Sequence, residues 1–414
     1  MKLRDFIYSY KSAGAFHNCL CIMGIRIKIR KPVTDRKFYH SLPIQENKIV
    51  FHSILKGYSC NPKYITEEIR RQNLPYDLVW IVDRHILKYI DSFPKDVRLV
   101  MGGTDDAARE WATAKIWVEN ERHDKLVRKG LFKREGQTYI QTWHGTFGLK
   151  TIGDKNKSAR RSALELARMD AEQMDYFISN SKWETDFYKE TFWNNGTIFE
   201  YGHARNDLLF REDKNEIKLQ IYKKLGISPE KKLLLYAPTW RENKDIRCYT
   251  MDYTMVKDAF ERRFGGEWVF AVKMHHLMFE HRNKFLPEGV EVLNISDYPD
   301  IQELHIAADA YITDYSSGIL DFMLTRKPGF LYAADREKYE NARGLYYPLE
   351  ETPFPVAENN EKMVENIENF DEAAYKVRVE EFLKGKGCIE DGHAAARVVE
   401  LIKSIMNKPK EETI

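Results

Sequence analysis

Short apolar runs, each bounded by turn residues or polar side chains, recur through the first half of the chain. They lie at residues 49–52, 78–82, 97–101, 116–118, 139–142, 176–178 and 198–201. Runs of this length and composition are typical of buried parallel strands. Segments with helical periodicity fall between several of them, at 63–72, 106–114, 158–169 and 183–191. Strands that alternate with helices predict βαβ units and a parallel sheet.

The second half shows the same pattern of short apolar runs, at 233–237, 268–272, 290–295 and 310–313. The pattern therefore predicts an α/β protein with two Rossmann-like domains that face each other across a cleft. We assign 1–45 to an N-terminal segment, 46–207 to the first domain, 208–407 to the second and 408–414 to a tail, with a linker at 205–215. Ligands of open α/β sheets bind beyond the carboxyl ends of the strands, so residues there are the candidates for function.

Composition narrows the class of protein. The chain has 414 residues, of which 43% are hydrophobic and 31% are charged, as in a globular protein with full cores. Its net charge of +2 gives no reason to expect nucleic acid as a partner. The five cysteines are scattered without a CxxC pair, which indicates a reducing compartment and no metal cluster. No apolar stretch reaches the roughly 18 residues of a membrane span.

The first 31 residues combine several aromatic side chains with a cluster of basic ones, Arg26, Lys28, Arg30 and Lys31. Such a composition is typical of an interfacial anchor on an anionic bilayer. An N-terminal helix and edge strand with solvated lysines would have the same composition. Both interpretations stay open, and the first predicts a cytoplasmic protein attached peripherally to the inner face of the cell membrane.

His144 is the strongest candidate for chemistry in the first half. The apolar run at 139–142 leads into Trp143-His144-Gly145-Thr146, and a cationic segment follows at 150–157. Gly145 allows close approach of the backbone, and an imidazole titrates near neutral pH. A core histidine beside Trp143 would also fit this pattern when it is taken by itself.

Polar residues follow three runs of the second half and are the candidates for holding anionic groups. They stand in Pro238-Thr239-Trp240-Arg241, in Lys273-Met274-His275-His276 and in Asp314-Tyr315-Ser316-Ser317. Arginine suits a bidentate phosphate contact, although an ion pair with Glu242 would also occupy Arg241. The serines precede an apolar-periodic segment, so they start a helix whose first N–H groups suit a phosphate; a plain cap is the alternative. Lys273 either supports the contact residues or is solvated, and Asp314 either binds or orients a neighbouring group.

Six short motifs occur in a fixed order along the chain. They are Gly57-Tyr58-Ser59-Cys60-Asn61-Pro62-Lys63-Tyr64, Gln141-Thr142-Trp143-His144-Gly145-Thr146, Tyr201-Gly202 with Arg205-Asn206-Asp207, Tyr236-Ala237-Pro238-Thr239-Trp240-Arg241, Lys273-Met274-His275 and Thr313-Asp314-Tyr315-Ser316-Ser317. With these motifs the chain resembles the CDP-glycerol glycerophosphotransferase family, the teichoic-acid primases and polymerases of bacterial cell envelopes. The resemblance implies two Rossmann-like domains of the GT-B type and no metal or other cofactor. It also implies transfer of a polyol phosphate from a CDP-activated donor to a hydroxyl acceptor.

The chemistry of such a transfer suggests roles for the motif residues. His144 would take the proton of the acceptor hydroxyl, and His275 with Arg241 would hold the pyrophosphate of the donor. The remaining predicted substrate-binding residues are Gly145, Thr146, Arg205, Asn206, Thr239, Lys273, Asp314, Ser316, Ser317 and Asp321, the last as a ribose or supporting contact. The expected partners are a CDP-polyol donor and a lipid-linked or glycan acceptor.

The chain departs from the family pattern at three points. His276 stands where the family usually has proline, and His203-Ala204 stand in place of Tyr-Pro. Phe147-Gly148-Leu149-Lys150 replace Pro-Leu-Lys with one extra residue. We expect these loops to line the acceptor or donor pocket. They therefore leave open whether the donor carries glycerol or ribitol, and which acceptor is used.

Three functional classes fit the chain. The first is a CDP-polyol phosphotransferase that makes or primes a teichoic-acid-like or capsule polymer. The second is a nucleotide-sugar glycosyltransferase on the same fold. This class is disfavoured because 319–327 lacks the Glu-x7-Glu pattern: the only acidic residue there is Asp321. The third is a scaffold subunit without activity, against which the presence of both His144 and His275 argues.

Overall fold

The computed structural model describes residues 8–12, 17–22, 25–30, 36–54, 57–83, 89–123, 131–193, 196–241, 249–274 and 292–407. Within the N-terminal segment, the described residues between 8 and 30 form a three-stranded antiparallel sheet. Its strands, in sheet order, are β1 (Tyr8–Ser12), β2 (His17–Ile22) and β3 (Ile25–Arg30). Strands therefore stand where one interpretation of the sequence placed a helix.

The first half folds around a seven-stranded parallel sheet of order β10-β9-β8-β7-β4-β5-β6. Its strands are β4 (Gln45–His52), β5 (Asp77–Val82), β6 (Arg98–Met101), β7 (Ala114–Glu119), β8 (Thr138–Gln141), β9 (Tyr176–Ser179) and β10 (Thr197–Glu200). The helices described in this half are α1 (Arg36–Ser41), α2 (Cys60–Arg71), α3 (Asp105–Thr113), α4 (Arg161–Ala171) and α5 (Lys182–Thr191). The strand order reverses between β4 and β7.

The second half folds around a six-stranded parallel sheet of order β13-β12-β11-β14-β15-β16. Its strands are β11 (Lys232–Tyr236), β12 (Trp268–Val272), β13 (Val292–Asn294), β14 (Ala310–Thr313), β15 (Gly329–Tyr332) and β16 (Val356–Ala357). The helices described after β10 are α6 (Lys214–Leu225), α7 (Tyr253–Phe264), α8 (Ile301–Ala307), α9 (Gly318–Phe322), α10 (Arg336–Ala342), α11 (Asn360–Glu368), α12 (Glu372–Gly385) and α13 (Ala394–Met406). Here the strand order reverses between β11 and β14.

The predicted architecture of two parallel α/β sheets is confirmed. Each apolar run named from the sequence contains a strand, because strands covered on both faces carry nearly continuous apolar residues. The sequence pattern missed β15 and β16. The first has four residues directly after Pro328, and the second has two. Proline and glycine at the start of β15 are typical turn residues, and the two residues of β16 are too few for a periodic signal.

The C-terminal helix crosses back to the first half. Val398 and Ile402 of α13 are fully buried in the same core as Ile49 and Ile116 of the first sheet. The assignment of 208–407 to the second domain is therefore corrected for α13. The expected linker also differs, because Ala204–Phe210 forms a 3₁₀ helix with several buried residues and is not an exposed connection.

The loop after β8 connects the two halves. Phe147 and Leu149, both from the first half of the chain, are buried in the core that contains Leu234 and Tyr236 of β11. Burial of these two side chains attaches the loop to the second half by the hydrophobic effect. Among the helices that the structure describes, none has the length and apolar character needed to cross a membrane.

Candidate active site

A cavity of about 660 Å³ lies between the two halves. The first half supplies much of its wall from the segments 143–164 and 184–188, and the second half supplies Trp240, Ser317 and Arg343. Trp240 follows β11 and Ser317 follows β14, which are the two strands where the second sheet reverses its order. Such switch points are where open α/β sheets bind ligands. The volume suits a small molecule, since ligand pockets hold roughly 300–1,000 Å³.

His144 reaches the cavity through a sharp turn after β8. Trp143 has φ of +49°, a left-handed conformation that is rare for a bulky side chain. The turn is held by two hydrogen bonds: the Trp143 N–H donates to Gln141 Oε1 at 2.8 Å, and the Thr142 N–H donates to the Glu119 carbonyl at 2.8 Å. A strained backbone held in this way is characteristic of functional sites. It places the imidazole of His144 in the cavity wall.

The hydrogen bonding of His144 fixes its tautomer. Nδ1 lies 2.5 Å from the carbonyl oxygen of Asn120, the residue that follows β7. Because a carbonyl only accepts, Nδ1 carries the proton and Nε2 of the neutral ring is left with its lone pair. Burial lowers the pKa of His144 to about 4. The charges of Arg205, Lys150 and Arg122 act in the same direction, and the hydrogen bond to Asn120 opposes them. The imidazole is therefore neutral at physiological pH and can accept a proton at Nε2.

Cations surround His144 in the cavity wall. We call Arg122, His144, Lys150, Arg160 and Arg343 the cavity cluster. Among the described residues that line the cavity, Glu184 is the acidic one. Its carboxylate lies 2.9 Å from His203 Nε2 and accepts the Asn180 N–H at 2.8 Å. The cavity thus keeps an excess of positive charge, which suits a ligand that carries phosphate groups.

Gly145 and Ser317 meet across the cavity. A Cβ atom on Gly145 would lie 3.9 Å from Ser317 Oγ and 3.2 Å from Trp143 Nε1, so a side chain there would fill the gap between the halves. Ser317 lines the cavity and its side chain does not cap α9, which has five residues. Ser316 lies outside the wall, and its Oγ accepts the Gly318 N–H at 3.2 Å. The Ser316 side chain thus stabilises the start of α9, and its predicted role in binding stays a prediction.

A second polar cluster joins the halves beneath the cavity. Asp321 of α9 accepts hydrogen bonds from Thr146 Oγ1 at 2.5 Å, from Arg205 Nε at 3.0 Å and from Asn206 Nδ2 at 3.1 Å. Asn206 also donates to Glu390 Oε1 at 2.8 Å. We call Thr146, Arg205, Asn206, Asp321 and Glu390 the joint cluster.

The joint cluster contains three residues that the sequence analysis named as substrate contacts, and their role in binding stays a prediction. Arg205, Asn206 and Asp321 are buried, with exposures of 2%, 0% and 4%, and the described residues that line the cavity do not include them. Their hydrogen-bonding groups are directed at each other, as a buried charged network requires. Thr146 does line the cavity, but its hydroxyl is bound to Asp321 and Arg205. These residues hold the two sheets together in this structure.

Arg241 is also paired within the protein. Its Nε and Nη2 lie 2.8 Å from the two carboxylate oxygens of Asp335, and Nη2 lies 2.9 Å from Asp314. Asp314 also accepts the Thr239 N–H at 2.8 Å. The guanidinium of Arg241 is thus paired with two carboxylates, and its predicted pyrophosphate contact stays a prediction. Asp314 and Thr239 hold this loop by their contacts with Arg241 and with each other.

The other strand-end predictions have mixed outcomes. Lys273 donates to the carbonyl of Tyr298, so it supports the loop after β13 and does not face the cavity wall described above. His275 and His276 lie outside the described residues. Of the loops that depart from the family pattern, Gly148, Leu149 and Lys150 do line the cavity. His203 does not, because it is fully buried beside Glu184.

Several residues of the site carry no recognisable sequence signal. The contribution of Asn120 is a backbone carbonyl, which any residue would provide. Arg122 and Arg343 stand in loops far from each other in the chain, and Glu184 lies in an ordinary amphipathic helix. A pattern of basic residues near strand ends would have suggested Arg122, but Arg343 follows a helix and could not be found in that way.

Comparisons with known proteins agree with this geometry. The family model described as CDP-glycerol:poly(glycerophosphate) glycerophosphotransferase matches residues 36–404. The teichoic acid poly(glycerol phosphate) polymerase of Bacillus spizizenii is 33% identical over 87% of this chain and 92% of its own length. The teichoic acid glycerol-phosphate transferase of Staphylococcus aureus is 30% identical over 89% of this chain and 96% of its own. The chain spans about half of the Bacillus subtilis polymerase, 49% of its length.

Solved structures give the same result. The wall teichoic acid polymerase TagF, in a structure obtained after a soak with CDPG, superposes with a TM-score of 0.77 at 28% identity and covers 90% of this chain and 93% of its own. A putative UDP-N-acetylglucosamine 2-epimerase from Listeria monocytogenes shares the fold, with a TM-score of 0.54 at 16% identity over 88% of this chain and 98% of its own. The chain therefore belongs to the CDP-glycerol:poly(glycerophosphate) glycerophosphotransferase family.

Proposed function

We propose that this protein transfers a polyol phosphate, glycerol or ribitol phosphate, from a CDP-activated donor to a hydroxyl of a lipid-linked or glycan acceptor and releases CMP. The product would be a teichoic-acid or capsule polymer of the cell envelope. The observation that carries the proposal is the geometry of His144. A neutral imidazole, with Nδ1 bound to the Asn120 carbonyl, stands among cations in a cavity between two nucleotide-binding-type folds.

The reaction follows from this arrangement. His144 Nε2 takes the proton of the acceptor hydroxyl while the oxygen forms a bond to the transferred phosphorus. The bond from that phosphorus to the bridging oxygen of the donor breaks, and CMP leaves with the electron pair. The incoming phosphates offset the cations that lower the pKa of His144, so donor binding raises the basicity of the imidazole. The cations stabilise the charge that builds up on the phosphoryl oxygens.

The second half would hold the nucleotide end of the donor. Trp240, Ser317 and Arg343 are its contributions to the cavity wall, and they can contact the base, a hydroxyl or a phosphate. The predicted role of His275 in holding the pyrophosphate stays part of the proposal. In the sequence, this residue comes three positions after the end of β12. If the proposal is right, the His275→Ala variant should bind CDP more weakly than the wild type.

We also propose that the N-terminal segment holds the protein on an anionic membrane surface, where a lipid-linked acceptor would stand. Basic residues alternate with isoleucines at 25–30, within β3. Attraction is on the order of 1 kcal/mol per basic residue near such a surface, and salt weakens it. Flotation with anionic liposomes at low salt tests the idea. If the full chain does not float, or if it floats equally well without residues 1–31, the segment is no anchor.

We expect the reaction to proceed without a metal ion. Among the residues that the structure describes, no group of three or more His, Cys, Asp or Glu side chains is arranged to hold one. Arginine and lysine side chains can neutralise phosphate charge in place of a divalent ion. Transfer should therefore continue in EDTA. Loss of activity that Mg²⁺ or Mn²⁺ restores would contradict this part of the proposal.

The experiment that tests the function compares donors. The purified protein is incubated with an acceptor and with CDP-glycerol, CDP-ribitol or UDP-sugars, and the released nucleotide is identified. We expect CMP from one of the CDP-polyols and no UDP. Release of UDP with sugar transfer would show a glycosyltransferase on the same fold. Release of neither nucleotide, with a donor that binds, would indicate a scaffold protein.

A further inference from the structure

Lys150 lies where a loop of the first half pairs with the backbone of the second half. The flanking backbone of the first half pairs with the second: the Tyr346 N–H donates to the Leu149 carbonyl at 2.9 Å, and the Thr151 N–H donates to the Gly344 carbonyl at 3.2 Å. Lys150 itself lies opposite Leu345 in this short antiparallel bridge. Its backbone is therefore fixed by both halves, and its side chain lines the cavity.

The loop before Lys150 is bent in a way that places Lys150 in the cavity wall. Phe147 and Gly148 have φ of +50° and +52°, two consecutive left-handed residues. The Phe147 carbonyl accepts from Trp183 Nε1 at 3.0 Å and from the Tyr347 hydroxyl at 3.1 Å. A Cβ atom on Gly148 would meet the ring of Phe187 at 3.3 Å. This bend accommodates the extra residue of the loop and keeps Lys150 in the wall.

The ammonium group of Lys150 has no bound carboxylate in the described part of the chain, where no ion pair or hydrogen bond of Nζ is found. Burial lowers the pKa of Lys150 to about 8. Arg343 and Arg241 act in the same direction, and Asp314 opposes them. These three residues belong to the second half, while Lys150 also lowers the pKa of His144 in the first. The ammonium of Lys150 therefore interacts electrostatically with the base and with charged residues of the half that would hold the donor.

We infer that Lys150 is a catalytic residue that contacts a non-bridging oxygen of the phosphoryl group during its transfer. The inference rests on the proposed function. In the step, the acceptor oxygen bonds to phosphorus, its proton moves to His144 Nε2, and the bond to CMP breaks with the electron pair on CMP. An in-line displacement carries the phosphorus from the donor half toward the base, through the region where Lys150 stands. The ammonium stabilises negative charge on the phosphoryl oxygens there.

Other cavity cations are placed differently. Arg122 lies over the ring of Phe192, with its guanidinium carbon 5.1 Å from the ring centroid. Arg160 precedes α4 and is exposed at the cavity rim. These two suit a longer anionic ligand that passes through the cavity. Lys150 and Arg343 stand at the bridge that joins the halves, where Thr151 Oγ1 donates to the Arg343 carbonyl at 2.6 Å, and Lys150 is the one that the loop carrying His144 supplies.

The test compares Lys150→Gln and Lys150→Arg with Lys189→Gln, a matched change of an exposed lysine on α5. Steady-state turnover is measured with the CDP-polyol that the wild type uses, and CDP binding is measured by calorimetry. We expect Lys150→Gln to lower kcat by about 10²–10³-fold, the range for losing one group that stabilises charge in the transition state. CDP affinity should change less than about threefold. The kcat of Lys150→Arg should be at least about tenfold higher than that of Lys150→Gln. Lys189→Gln should behave as wild type.

The outcomes separate the inference from the function. Turnover of Lys150→Gln within about threefold of wild type, or a loss that lies wholly in donor affinity, would overturn the role of Lys150. A wild-type protein that releases no CMP from either CDP-polyol would instead overturn the proposed function. Thermal melting checks that each variant is folded.

The alkaline limb of the rate profile gives a second readout. In the wild type, kcat/KM, which reports the free enzyme, should fall as pH rises through about 8, because the ammonium of Lys150 loses its proton. The charged groups that face it are Arg343, Arg241 and Asp314, with neutral His144 beside them. Arginine keeps its charge, so Lys150→Arg should lack this limb. A limb that persists unchanged in Lys150→Arg would contradict the inference even if Lys150→Gln does not fold.

Discussion

The cavity cluster and the joint cluster adjoin on one loop and differ in how their charges are satisfied. His144 and Thr146 stand two residues apart, yet the first faces the cavity and the hydroxyl of the second binds Asp321 and Arg205. In the joint cluster every charge has a partner inside the protein. In the cavity cluster, cations outnumber the lining carboxylate of Glu184, which is itself occupied. The difference lies in where the charged groups stand: those of the joint cluster are directed at each other inside the protein, and those of the cavity cluster line a space that a ligand can enter.

The largest change in stability is expected from breaking the ion pair of the joint cluster. Asp321→Ala would leave Arg205 buried without its counter-charge, at a cost of about 3–5 kcal/mol in the free energy of unfolding. Denaturant melts measure it. Asp213→Ala, in an exposed pair with Arg211, is the matched control and should leave the melt unchanged.

The double variant Arg205→Leu with Asp321→Leu sharpens this test. It should be more stable than Asp321→Ala, because no charge is left unpaired. If Asp321→Ala melts like the wild type, the joint cluster does not hold the halves together, and its residues become candidates for binding again.

Glu390 should make folding stability depend on pH. Burial raises the pKa of Glu390 to about 7, against about 4.3 in an unfolded chain. Between these values the folded state binds a proton that the unfolded state does not. Stability should therefore fall as pH rises through this window, by up to about 3 kcal/mol. Glu390→Gln cannot titrate, so its stability should fall less between pH 5 and pH 8. An identical pH dependence in both proteins would contradict the burial argument.

Thr146 tests the link between the loop and the joint cluster. Thr146→Val removes a hydroxyl that donates to Asp321 at 2.5 Å and accepts from Arg205 at 2.6 Å. We expect a loss of about 1–3 kcal/mol in the free energy of unfolding, the cost of leaving buried partners unsatisfied. Thr197→Val on β10, where the threonine is exposed, is the control. A variant as stable as the wild type would show that the link contributes little.

The smallest effect concerns the acid side of the rate profile. The pKa of His144 lies at about 4 because of burial and neighbouring cations, so the imidazole keeps its lone pair above that pH. Between pH 5.5 and 7, kcat/KM should change less than about twofold, since this parameter reports the free enzyme. An acid limb with a midpoint near 6.5 would show that His144 is not held neutral, or that another group is the base.

The sequence predicted the elements of the fold better than the roles of single side chains. The runs at 233–237 and 268–272 were recognisable because strands buried on both faces are continuously apolar. The place of α13 on the first sheet was not predictable, since its apolar stripe fits any covered face. Arg241 was correctly placed at a strand end, but its partner Asp335 is 94 residues further along the chain. Pairing of this kind depends on tertiary structure and leaves no local signal.

The same limit applies to the site. Gly145 and Ser317 were named from two separate motifs, and the structure brings them together at the cavity. The tautomer of His144 depends on the carbonyl of Asn120, which no residue type encodes. The sequence did not show that Arg205 and Asp321 form a buried network, because buried networks and binding sites use the same polar residues. Burial is a property of the whole fold and leaves no local signal.

The most direct test of the account measures kcat and thermal unfolding of His144→Gln, with His393→Gln as an exposed control. The account predicts that turnover with the CDP-polyol falls by about 10²–10⁴-fold, the range for losing a general base, while CDP affinity and melting temperature stay near wild type. Turnover close to that of the wild type would contradict it, because the charges of the cavity would then serve a reaction in which His144 has no part.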